Sequence, residues 1–163
     1  MISRVNLGDT MPTKWADLFL VLLRSASVSC KVTNRVNGWP ETAIINSRRC
    51  FMKSVSYDAA RRHYFQGIDP KKLQESGDLV VICGGLGASL RDIFLIPWHD
   101  FFKIISLGEP INTYRLPKVY FQYKFKVHET DSGWTLSVQG SAQPTRAIGQ
   151  WHNSPSAAVQ TLK

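Results

Sequence analysis

Acidic residues are in short supply in this chain: 12 Asp and Glu stand against 20 Lys and Arg, a formal charge of +8 over 163 residues. That imbalance favours a polyanionic partner, although a merely soluble basic protein would share it. Cysteine is also sparse. Cys30, Cys50 and Cys83 are spaced as neither a metal pair nor a secreted disulfide framework. Cys83 follows the apolar run Leu79 to Ile82 and reads as a buried thiol, which favours a cytosolic setting. No apolar run reaches membrane-spanning length, since Asp17 and Arg24 interrupt the N-terminal candidate. Met1 to Thr13 lacks a signal-peptide pattern. The expected location is cytoplasmic or nucleoid-associated.

Several catalytic signatures are missing as well. Gly84, Gly85 and Gly87 form neither GxxxxGK nor GxGxxG, and a strand-like run follows them where a phosphate loop needs a helix, so they read as a structural turn. His63, His99, His128 and His152 build no compact metal motif with Cys or a carboxylate. There is no GxSxG elbow, and Ser47, Ser54 and Ser89 have no base at a diagnostic spacing.

What is present is a striped segment, Lys118 to His128. Val119, Phe121, Tyr123, Phe125 and Val127 share one parity; Lys118, Tyr120, Gln122, Lys124, Lys126 and His128 share the other. A strand sends alternate side chains to opposite faces, so the segment predicts one apolar face and one basic, hydrogen-bonding face. Trp134, Leu136 and Val138 alternate after a turn and supply a hairpin partner.

Elsewhere the pattern predicts a helix from Pro12 or Thr13 to Ser25–Ser27, with Thr13 as its cap. It also predicts short strands over Val28–Val32, Thr42–Ile45, Arg48–Ser56, Leu79–Cys83 and Asp92–Ile96. Asn37-Gly38 marks a turn. Tyr57–Phe65 reads as a short basic helix, Lys71–Glu75 as a further helical turn, Trp98–Ile105 as an aromatic-faced helix, and 106–117 as a loop. An apolar content of 44% suits one domain with a real core. The expected class is α+β, a single domain with a mixed or partly barrel-like sheet and flanking short helices. Residues 1–140 would form the binding domain. Residues 141–163, rich in Gly, Pro, Ser, Ala and Gln, would form a flexible or peripheral tail that Trp151 and Val159 could dock.

The segments AIINSRRCFMKSVS, RRHYF, GDLVVICGG and DIFLIPW, from Glu41 to Trp98, resemble a degenerate restriction-endonuclease-like PD-(D/E)xK domain or a restriction-system DNA-recognition domain. In that resemblance Glu41 matches the first acid. The D/E-x-K position reads Asn46-Ser47-Arg48, which supplies neither the second carboxylate nor the lysine. Arg48 stays charged and replaces a tunable amine poorly. The resemblance therefore implies a scaffold without the cleavage chemistry.

The favoured reading is a non-catalytic protein that recognises double-stranded DNA, with RNA as the other nucleic acid a basic, tyrosine-bearing face would accept. Arg48, Arg49, Lys53, Arg61 and Arg62 form one cationic group, and Lys118, Lys124 and Lys126 another; both are expected on phosphates. Tyr120 would pack on sugar or base, and Gln122 or Arg35 would read a base edge. Trp39, beside the Asn37-Gly38 turn, either closes a small core or enters a groove with Arg35, and Arg115, in the loop before the striped strand, is a further groove-contact candidate. No cofactor is expected. The enzyme alternative is a DNA endonuclease using a divalent metal such as magnesium on Glu41, Asp78 and Asp92. The third reading is a protein-interaction scaffold. A second copy or a nuclease would be the protein partner, and no membrane is expected because the cations are spread through a sheet.

Overall fold

Apolar runs too continuous for a half-exposed strand lie at the centre of the molecule. In the computed structural model, which describes residues 14–142 and 145–163, Leu79–Leu86 (β5) and Ser89–Pro97 (β6) pair antiparallel. Val80 to Cys83 and Ile93 to Ile96 are all buried, because both faces of these strands are covered. Beside β5 runs Arg48–Asp58 (β3), and this pair is parallel. Around these strands lie Cys30–Val36 (β1), Trp39–Ile45 (β2), His63–Ile68 (β4), Ile111–Arg115 (β7), Lys118–Thr130 (β8), Gly133–Val138 (β9), Arg146–Ala147 (β10) and His152–Asn153 (β11). The sheet runs β10-β9-β8-β4-β3-β5-β6-β11, with β1-β2 added to β3 and β7 to β8.

One strand makes the sheet curl. The first residues of β3 pair with β2, from Ile45↔Arg48 to Thr42↔Phe51. Its last two pair with β4, Tyr57↔Tyr64 and Asp58↔His63. Between these stretches β2 and β4 splay apart, and β4, β8 and β9 fold over to enclose one face. The result is a single α+β domain with a curled, partly barrel-like mixed sheet and three short helices, as the pattern predicts.

The enclosed face holds Phe51, Val55, Tyr57, Tyr64, Phe94, Phe125, Val127, Trp134 and Leu136, closed by Trp98, Phe101 and Phe102 of the second helix, Trp98–Ile105 (α2). The opposite face of β2, β3, β5 and β6 packs against Trp15–Ser25 (α1) and Pro155–Leu162 (α3). Phe19, Leu20 and Leu23 of α1 and Leu162 of α3 are fully buried there. The segment after Gly140, read as a flexible or peripheral tail, is thus tied in by Ile148, Ala158, Val159 and Leu162, all buried. The Thr13 cap and the leader-free reading of Met1 to Thr13 fall outside the described residues.

Two-residue turns set the hairpins. Asn37 and Gly38 both have positive φ (52° and 82°), the conformation that matches strand twist and that Asn-Gly adopts readily. The Gly87 turn joins β5 to β6, so the glycine-rich loop is a hairpin connection.

Two local expectations fail. Tyr57–Phe65 is not a helix: β3 runs to Asp58 and β4 begins at His63. The Asp58 carboxylate accepts from the Arg61 backbone at 3.0 Å, and Arg62 takes φ 56°, which reverses the chain at once. Tyr57 and Tyr64 then meet as cross-strand neighbours instead of about two helical turns apart. Within 106–117, residues 111–115 form β7, because Ile111 and Thr113 alternate with polar neighbours opposite Gln122 and Tyr120.

Candidate nucleic-acid interface

The striped strand divides into two parts. From Tyr123 to His128 it pairs with β4, and from Phe125 to Thr130 with β9; its apolar parity joins the core at Phe125 and Val127. From Lys118 to Gln122 its partner among the described strands is β7. This end is a two-stranded arm, and its apolar parity emerges into solvent: Val119 is 55% and Phe121 54% exposed. The stripe is real, but the core ends before the stripe does.

The other parity forms the outward face, exposed at Lys118 and Tyr120, half-buried at Gln122, Lys126 and His128, and closed over at Lys124. Paired residues share a face, so Arg115 lies with Lys118, Thr113 with Tyr120 and Ile111 with Gln122. Further along, Lys126 lies beside Phe65 and His128 beside His63. Phe65 is 51% exposed, and its ring sits 6.2 Å from His63. A shallow cavity of about 410 Å³ opens there, lined by Ser56, Asp58, Arg61, His63 and Phe65. Burial lowers the His63 pKa; Asp58 opposes this, while Lys126, Arg61 and His128 push it down further. Lys124 is lowered by burial and by the nearby Arg115. Like charges have therefore been gathered on this face.

Lys124 itself is buried, which its parity did not foretell. Its ammonium donates to Gln122 Oε1 at 3.2 Å and lies 5.9 Å from the Phe65 ring. Arg115, Lys118 and Lys126 form no ion pair among the described residues.

The first cationic group is dispersed. Arg48 and Arg61 stand near opposite ends of β3, a strand of about 33 Å at ordinary rise. Arg61 pairs with Asp58 at 3.1 Å and Arg62 with Asp131 at 3.0 Å. Arg49 is exposed at the β2–β3 end. Lys53 turns to the splay between β2 and β4, where its Nζ donates to the Gly67 carbonyl at 2.8 Å. Burial pushes its pKa down to about 8; Glu41 opposes this, and Lys124 and Lys72 add to it. Arg35 is held by Asp17 of α1 at 2.9 Å, and Trp39 is half-buried with the Lys14 ammonium 5.7 Å from its ring.

The three candidate acids are occupied separately. Glu41 is ion-paired with Lys72. Asp78 accepts the Arg49 backbone N–H at 2.7 Å, joining the starts of β3 and β5. Asp92 accepts from Tyr64 Oη at 2.5 Å and Arg91 at 2.5 Å, and its Oδ1 lies 2.7 Å from His152 Nε2. Among the described residues no three His, Cys, Asp or Glu side chains converge as an ion-holding group.

Sequence spacing gives no sign of the Asp92 network. Gly84↔Asp92 and Gly85↔Leu90 leave Arg91 without an opposite residue, a bulge that lets adjacent Arg91 and Asp92 side chains meet. Arg91 also reaches Glu129 at 3.4 Å and lies 3.8 Å over the Tyr57 ring. Burial alone would raise the Asp92 pKa, but His152, Tyr64 and Arg91 hold it below the ordinary carboxylate value. The network ties β4, β6, β8 and β11 together, and its donors leave Asp92 little capacity for an outside ligand.

No family model matches the chain, and no curated protein or solved structure shows significant similarity to it. No helix among the described residues is long and apolar enough to cross a membrane.

Proposed function

We propose that this protein binds double-stranded DNA through the outward face of β4, β8 and the β7–β8 arm, without cutting it. One observation carries the reading. Arg115, Lys118 and Lys126 share a face with His63, His128, Tyr120 and Phe65, and among the described residues no acid forms an ion pair with any of the three cations. Uncompensated cations alternating with exposed rings suit a phosphate backbone, where charge sets affinity and register. Tyr120 and Gln122 stand between the cations, where a side chain reaches sugar or a base edge.

Fluorescence anisotropy with a 20-base-pair duplex, single-stranded DNA and RNA of equal length tests this. Duplex binding that weakens with salt, and falls about tenfold or more in a Lys118→Gln/Lys126→Gln variant, is the expected result. No binding to any of the three near physiological salt sinks the proposal. Preference for RNA or single strands redirects it, and duplex cleavage in magnesium would overturn its non-catalytic part.

A further inference from the structure

Leu116 is 91% exposed, and it stands with Pro117 at the turn of the β7–β8 arm. The cross-strand pair Arg115↔Lys118 flanks it directly. The arm is two strands wide and five residue pairs long, from Ile111↔Gln122 to Arg115↔Lys118, a reach of about 14 Å. Among the described residues no third strand pairs with it along this length. Tyr114 (69%) and Val119 (55%), themselves a cross-strand pair, form an exposed apolar flank behind the tip. An apolar tip on a cationic ribbon needs a partner that is anionic outside and apolar within. A stacked duplex is such a partner, with phosphates along the groove walls and base faces between the steps.

We propose that the β7–β8 arm enters the minor groove of duplex DNA and that Leu116 inserts between two base pairs, kinking the helix. This rests on the DNA-binding reading above. Arg115 and Lys118 sit where the two phosphate walls flank an inserted tip. Aliphatic wedges of this kind partly unstack a step and bend DNA toward the major groove. A two-stranded ribbon is wide for an undistorted minor groove of about 6 Å, so unstacking by Leu116 and widening of the groove assist each other. Tyr114 and Val119 then lie against sugars in the widened groove. Flexible pyrimidine–purine steps are the preferred sites, because they unstack most easily.

The test is end-to-end energy transfer in a doubly labelled 30-base-pair duplex with a central TA step, run beside anisotropy on the same complex. Wild type should shorten the end-to-end distance at saturation. Leu116→Ala should abolish the shortening while weakening binding by less than about tenfold, and Leu116→Met should restore the bend. Leu116 is 91% exposed and belongs to neither buried cluster of the described residues, so the variants keep the fold, which circular dichroism checks. Saturating binding without bending, or undiminished bending by Leu116→Ala, overturns the wedge and leaves DNA binding standing. Failure of wild type to bind duplex removes both. Concentration-dependent self-association lost in Leu116→Ala, with no bending, assigns the tip to a second copy and overturns the wedge.

Discussion

Tyr64 and Asp92 meet through a 2.5 Å hydrogen bond across 28 residues of chain. Gly84 stands opposite Asp92 on the neighbouring strand, and a Cβ there would fall on the Tyr64 ring. The absent side chain is what admits the phenol to the carboxylate. Trp134 stacks 6.0 Å from Tyr64, and His152 closes the far side of the carboxylate. A polar group is thus satisfied inside an aromatic core by three donors from different strands.

Removing that carboxylate leaves its donors stranded. Asp92→Asn should lower stability by about 3 kcal/mol, the low end for a broken buried pair, since Arg91 retains partial exposure. Tyr64→Phe should lower it by about 1–2 kcal/mol, and the two losses should not add, because they remove one shared contact. Urea unfolding of both variants and the double variant checks this. A loss below about 0.5 kcal/mol for Asp92→Asn would show that the network does not support the fold.

Local chemistry made much of the fold legible. The α2 helix, the β8 stripe, the β9 alternation and the Asn37-Gly38 turn are each written in a few adjacent residues. Partner choice is not. Tyr57 and Tyr64 are seven apart, a spacing that suits a helix face as well as a hairpin, and only the Asp58–Arg61 turn decides between them. Parity assigned Phe121 and Phe125 to one face, but the core's edge depends on where β4 stops pairing. For the site, the cations of β8 were readable as a row. Phe65 and His63 were hidden within a misread helix, and the burial of Lys124 depends on the close packing of Gln122 and Lys124 against Gly67.

Lys53 gives the protein a distinctive alkaline response. Its pKa is about 8 in the folded protein against an ordinary 10.5. Between those values the unfolded chain holds more protons at this site, so Lys53 contributes stability that rises with pH, opposed by the buried Cys50 and Cys83 thiols, whose raised pKa values keep protons on the folded state above the ordinary thiol value of 9.0. Below pH 8 the full cost of burying the ammonium applies, and above 10.5 it vanishes. Lys53→Met should remove this contribution, so the stability difference between wild type and variant should climb between pH 8 and 10, a comparison in which the thiols cancel and which stays below the raised Tyr64 phenol. Parallel curves for wild type and variant would mean that the ammonium is hydrated.

The C-terminal helix should behave as core. Leu162 is fully buried beneath α1 and the sheet, although the surrounding sequence is small and polar. Leu162→Ala should cost about 2–4 kcal/mol through lost burial and the cavity left behind. A shift in urea midpoint too small to measure would mean that residues 155–163 are dispensable to the fold.

Salt dependence separates cations that are free from those already spent. Lys126 has no acidic partner among the described ion pairs, whereas Arg62 lies 3.0 Å from Asp131. A cation that releases counterions from a phosphate contributes about 0.9 to the slope of log K against log salt. Lys126→Gln should reduce that slope by about one, uniformly across duplex sequences, and Lys118→Gln by the same amount. Arg62→Gln should change it by much less, because its guanidinium is neutralised before DNA arrives. Gln122→Ala should leave the slope intact and narrow the difference between preferred and random duplexes if its amide reads a base edge. Duplex anisotropy from 50 to 300 mM salt measures all four variants, on the order of the range where such slopes are steep. Equal slopes for Lys126→Gln and Arg62→Gln would place the phosphates on a different face of the protein.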